Sequence, residues 1–262
     1  MVSNAPPPSP FPPQATHPLT KPPNSVESTL YSSWRWHTRA ALRDIARLRN
    51  VVLLAVQAAS RADGGGNEGQ VAVERVHKGY RYLWGFSFAM LHKCETSFFF
   101  PWLRNLLPAE VLPPLEDFDG DKGAIVRIGH TIGQLVEEAI RMSKARGSPG
   151  AALLQCADFL SDLEQKFAHL SRTQEEAIVP VTAAFVSSKE QGRFNDKVIL
   201  SLGLLDSQVL LVSMYDAIKS DEAEMDAFRT QVPSFARALI PSWRRILYSP
   251  KAGCLDEEIA NA

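Results

Sequence analysis

From Ser25 onward apolar residues recur at helical spacing, and no stretch alternates as a half-buried strand does. In SVESTLYSSWRWHTRAALRDIARLRNVVLLAVQAASRA, Leu42, Ile45, Leu48, Val52 and Val56 fall three or four residues apart, while Arg43, Arg47 and Arg49 lie mostly away from them. This pattern predicts a helix over about 27–62, ended by the glycines of DGGGNEG. A second helix follows over about 70–106, so rich in aromatic residues that it is apolar nearly all round and should be buried on several sides; Pro101 should bend it. PAEVLPPLEDFDGD reads as a loop, and a third helix over about 121–146 is closed by ARGSPG. A fourth, over about 149–187, should kink at Pro180. Ser187 with Glu190 forms a capping box for a fifth helix through DKVILSLGLLDSQVLLVSMYDAIK. DEAEMDAFRTQV and SFARALIPSWRRILY supply two shorter pieces.

Four long helices joined by loops are enough for one core, so the expected fold is all-α: an antiparallel four-helix bundle with additional C-terminal helices. The expected organisation is a proline-rich tail over about 1–26, the bundle over about 27–187, and an extension over about 188–262 packed on the bundle and covering the spare aromatic face of the second helix.

Composition narrows the function. Hydrophobic residues make up 45% and charged residues 22% of 262, and the net charge is −1, so neither nucleic acid nor an anionic membrane is advertised as a partner. No apolar run approaches the roughly 18 residues that cross a bilayer. The N-terminus lacks the features of a secretion signal or transit peptide, and Cys94, Cys156 and Cys254 are too few and too scattered for a disulfide framework. A cytoplasmic location is the expectation. There is no phosphate loop, zinc-protease helix, EF-hand spacing or nucleophile triad.

The histidines carry the chemistry. With a rise of about 1.5 Å per residue, His37 lies about 26 residues before the glycine loop and His92 about 25 after it, so an antiparallel pair sets them at one height. His130 and His169 stand about 16 and 20 residues from the next turn, within about one helical turn of each other. Four helices thus contribute one histidine each to a common layer. His77, some 22 Å along the axis from His92, does not reach it. His92 and Glu95 share a helix face, about 60° apart.

HTRAALRDIARL, LHKCETSFFFPWL, IGHTIGQLVEEAI and FAHLSRTQEEAIVPV resemble the four helices of the hemerythrin-like family, the HHE cation-binding domains, over about residues 30–186. The resemblance implies a centre of two non-haem irons held by His37, His92, His130 and His169, with Glu95 bridging or terminating and Glu175 or Glu176 completing the set. It implies binding or activation of O₂; the many aromatic rings around the His/Glu layer, together with the C-terminal extension, add the expectation of an enclosed hydrophobic small molecule as partner. The chain departs from the family where a partner carboxylate usually stands four residues after the histidines that correspond to His92 and His169. Those positions hold Thr96 and Thr173. A neutral hydroxyl is a poor ligand and removes charge that would offset two dications. The alternative is therefore a metal-free bundle of the same kind that uses His92, Glu95 and His169 for acid–base chemistry, as an isomerase, cyclase or dehydratase acting on a hydrophobic metabolite.

Overall fold

The computed structural model describes residues 32–61, 67–108 and 119–256. The expected tail, the start of the first helix, most of the glycine loop and most of the proline-rich loop lie outside them. Every element among the described residues is helical. Helix α1 spans Ser32–Arg61. The second helix is a run in five pieces: α2 Asn67–Tyr82, a π-helical turn Leu83–Phe88, α3 Ala89–Lys93, a second π-helical turn Cys94–Phe99, and α4 Phe100–Leu106. Helices α5 Asp119–Lys144 and α6 Gly150–Phe185 follow, and α6 continues through Pro180. The chain then forms α7 Ser188–Leu202, α8 Leu204–Ile218, α9 Glu222–Gln231, α10 Ser234–Trp243, a π-helical turn Arg244–Tyr248, α11 Ser249–Ala252 and a short 3₁₀ turn, Gly253–Leu255.

The π-helical turns have a cause in the sequence. Buried residues of the second run recur every fourth position: Leu83, Ser87, Leu91, Glu95, Phe99, Leu103 and Leu107. On an unbroken α-helix a four-residue repeat drifts around the axis, because one turn takes 3.6 residues. A π turn takes up about one residue more. Alternating the two keeps the stripe facing the core. Pro101, with no N–H to donate, sits in the first turn of α4 directly after the second π turn.

Each of α1, the second run, α5 and α6 packs against two of the others, in the cyclic order α1, α2, α5, α6. Gly129 and Gly133 of α5 let the second run approach closely. A Cβ on either would overlap the Trp84 or the Tyr80 ring, and the Tyr80 hydroxyl donates to the Gly129 carbonyl at 3.2 Å. Helix α5 ends with Arg146 in the left-handed region, φ 56°, and the Gly147 N–H returning to the Met142 carbonyl at 2.8 Å, a Schellman closure.

The capping box forms: Glu190 N–H bonds to Ser187 Oγ, and the Glu190 carboxylate accepts from the Ser187 N–H. The fifth helix, expected to be continuous, is two. Gly203 at φ 84° separates α7 from α8, a conformation that costs a side-chain-bearing residue strain.

The C-terminal helices meet the rest of the chain at several places. Phe194 of α7 stacks on Trp102 at 4.3 Å between centroids and also meets Phe99, covering aromatic residues of the second run. Helix α8 packs on α1, a face that the apolar pattern of α1 leaves to its arginines. Arg43 and Arg47 are consequently half-buried instead of turned to water. Arg43 bonds to fully buried Asp44 at 2.8 Å, to the Ser213 carbonyl at 3.0 Å and hydroxyl at 3.1 Å, and to the Tyr248 hydroxyl at 2.9 Å. Arg47 reaches the same Tyr248 hydroxyl at 3.2 Å and pairs with Asp256. Nearer the start of α1, Trp36 Nε1 donates to Glu224 of α9 at 2.8 Å, and Arg35 and Arg39 both reach that carboxylate.

Removing one partner of a buried charge pair leaves the other charge uncompensated. Asp44→Ala should therefore cost about 3–5 kcal/mol of stability in urea unfolding. Gly203→Ala should cost less, about 1 kcal/mol, from backbone strain alone.

Candidate functional site

Glu95 occupies a position in the buried stripe where every other member but Ser87 is apolar, and it is 6% exposed. Both oxygens are engaged. Oε1 accepts from the Trp34 indole N–H at 3.3 Å, and Oε2 lies 3.2 Å from Lys122 Nζ of α5. The same ammonium sits 4.2 Å from the centroid of the Phe100 ring, a cation–π contact that fixes its position from a second side.

This pair sits in a cleft of about 290 Å³ between the second run, α5 and α6. Trp84, Phe88 and Phe167 form its aromatic wall; Phe88 lies 5.2 Å from Trp84 and 5.1 Å from Phe167 between centroids. His92 and His130 also line it, and His130 meets the edge of Trp84 at 6.2 Å. Two imidazoles, a carboxylate and an ammonium thus share one apolar cleft.

The remaining sequence-derived residues are placed elsewhere. His92 and His130 are exposed at the cleft, whereas His169 is exposed on α6 and is not among the residues lining it. His37 is 2% exposed and lines a different cavity, beneath α7, α8 and α9. Glu175 pairs with Arg35 at 3.3 Å, and Glu176 is exposed. His77 faces Glu137 of α5 at 3.3 Å and does not line the Glu95 cleft. The common layer of four histidines is therefore not assembled: helical rise sets their heights, but only His37 is turned to the core.

These residues do not fit a pair of irons. Among the described residues no three His, Cys, Asp or Glu side chains are grouped to hold a metal ion. The Thr96 hydroxyl bonds to the His92 carbonyl at 2.8 Å and that of Thr173 to the His169 carbonyl at 3.0 Å, so both are turned back on their own helix. The charge of Glu95 is balanced by the Lys122 ammonium, which would lie where a dication would have to sit.

Sequence reasoning missed Lys122, which sits where the proline-rich loop gives way to α5, and Trp34, which reads as one more core aromatic. The signal for Lys122 was physical: a carboxylate in a buried stripe requires a donor.

Burial holds His37 neutral, lowering its pKa from 6.5 to about 4 against the opposing effect of its hydrogen bond to the Ser87 backbone. Between those values the unfolded chain takes up a proton that the folded chain does not, so stability is full above about pH 6.5 and falls as pH drops toward 4. His37 should account for about 3 kcal/mol of that loss, at 1.36 kcal/mol per pH unit. Urea unfolding at pH 7.5 and pH 4 should therefore differ less for His37→Leu than for the wild type by about that amount. Gly129→Ala should push the Trp84 ring out of the cleft wall and alter its fluorescence, with helix content retained.

Compared with protein-family models, with curated proteins and with solved structures, the chain gives no match in any of the three. The hemerythrin-like resemblance rests on its four helical motifs.

Proposed function

We propose that this chain is a hemerythrin-like four-helix bundle, with α1, the second run, α5 and α6 as its members, that works without a metal pair and catalyses acid–base chemistry on a hydrophobic small molecule in the Glu95 cleft. The cyclic packing of those four helices supports the fold reading. The observation that carries the functional reading is Glu95, a carboxylate with a lysine partner at the base of an aromatic cleft whose lining also holds two imidazoles. A structural ion pair would need neither the space nor the imidazoles.

The reaction class is proton transfer without a co-reactant. Glu95 removes a proton from a carbon next to a carbonyl, and the Lys122 ammonium stabilises the oxyanion that forms. His92 or His130 returns a proton at a second atom of the same molecule, so the product is an isomer, or a ring or alkene where that step closes a bond or expels water. Trp84, Phe88 and Phe167 hold the apolar body of the substrate. The free thiols of Cys94, Cys156 and Cys254 support a cytoplasmic location.

The test is a screen of hydrophobic ketones and enones in D₂O, read by deuterium incorporation or isomerisation in NMR spectra. Glu95→Gln should slow exchange by about 100-fold or more while binding survives, as expected for loss of a general base. Equal exchange by wild type and Glu95→Gln, for every compound that binds, would sink the reading.

A further inference from the structure

Helix α7 meets the end of the second run along a groove of about 320 Å³. Its floor is aromatic: the Trp102 and Phe194 rings stack at 4.3 Å between centroids and 18° between planes, and half-buried Phe98 lines the groove with them. Asn105, Arg193 and Lys197 stand exposed along it, and none of these side chains forms a hydrogen bond or ion pair with another described residue. Glu190 also lines the groove, but its carboxylate is turned to the Ser187 capping box, where it accepts from the backbone N–H and the hydroxyl. The groove therefore offers flat apolar faces and unused donors.

The ligand that suits such a surface presents ring faces and carbonyls and carries few N–H groups of its own. That is the chemistry of polyproline. Residues 6–13 of this chain read PPPSPFPP, in which only Ser9 and Phe11 have a backbone N–H; they lie outside the described residues. In the polyproline II conformation three residues make a turn of about 9 Å, so Pro7, Pro10 and Pro13 fall on one edge. The groove follows the second run from Phe98 to Leu106, roughly 12 Å at the helical rise, and so takes about four residues of that conformation.

The segment is also tethered close by. Helix α1 opens at Ser32, and Trp34 stacks on Phe99 at 5.4 Å, while Phe99 in turn meets Phe194 at 6.0 Å and Trp102 at 6.3 Å. Residues 14–31 join Pro13 to that point and can span up to about 60 Å when extended. The reach exceeds the need, and such a tether sets an effective concentration on the order of 1 mM that a free partner would have to match.

We propose that the groove between the end of the second run and α7 is a polyproline-binding site, and that the segment Pro6–Pro13 of the same chain occupies it. Its proline rings lie on Phe98, Trp102 and Phe194, and its carbonyls accept from Asn105, Arg193 and Lys197. The site stands independently of the chemistry assigned to Glu95.

The experiment compares the full chain with a full-length variant in which Pro6, Pro7, Pro8, Pro10, Pro12 and Pro13 are each replaced by serine, a change that touches no described residue. In NMR spectra of the wild type the Trp102 indole, assigned through Trp102→Phe, should show cross-relaxation to proline ring protons, and its resonance should move in the serine variant. A synthetic peptide of residues 5–14 should bind the serine variant about tenfold more tightly than the wild type, whose own segment competes for the groove. Asn105→Ala together with Lys197→Ala, both exposed positions, should weaken the peptide's hold on the serine variant by about tenfold, the range of one or two hydrogen bonds. An indole resonance that is the same in both proteins, or a peptide that binds neither, would overturn the proposal. Equal affinity of the peptide for both proteins would assign the groove to a polyproline segment of another protein, and a wild-type signal lost on dilution would assign it to a second copy of this chain. Either result overturns the intramolecular occupant.

Discussion

Arg43 and Asp44, adjacent on α1, form the buried pair on which the arrangement of the whole chain depends. Asp44 is fully buried, and a carboxylate is tolerated there only because a guanidinium and the Ser87 hydroxyl accompany it. That guanidinium in turn needs acceptors, and it finds them on Ser213 and Tyr248, some 170 and 205 residues further along the chain. A helix that would otherwise expose one side to water is thereby enclosed. The packing of the described helices from Ser32 to Phe185 and the docking of those that follow, from Ser188 onward, are a single problem of electrostatic satisfaction.

The second run resolves a different constraint. Its apolar stripe repeats every fourth residue, and two π turns accommodate that repeat. The same turns place Glu95 inward and His92 outward although the two are neighbours along the helix. The carboxylate then meets Lys122 and the Trp34 indole, and the aromatic rings that flank it become the walls of a cleft instead of continuous core. Backbone register, electrostatic pairing and cavity shape therefore have one origin.

Much of the fold was legible in the sequence because it is local. The glycine-rich loop, the ARGSPG closure and the Ser187–Glu190 box act through backbone freedom and hydrogen bonds a few residues apart, and each marks a helix end at or near its expected place. Gly203 was legible in principle too, but the apolar run on both sides of it outweighed one glycine in the reading. The site was less legible. Counting residues along helices gave the histidines similar heights, yet height says nothing of azimuth, and the π turns alter azimuth without altering composition. Thr96 and Thr173 were the sequence's one sign that the centre departs from the hemerythrin pattern, and both hydroxyls bond to their own backbone.

By itself the sequence determined that the described residues are helical, where most of their helices begin and end, and which residue types are available for chemistry, since periodicity, capping and glycine or proline geometry are properties of short segments. Only the tertiary structure decided which of those residues meet. Glu95 found Lys122 across two helices, and His37 was shut into an aromatic cavity by α7, α8 and α9. The reason is that burial and pairing depend on contacts between segments far apart in the chain, and the rotation of each helix that brings them together is set by the packing of all the others.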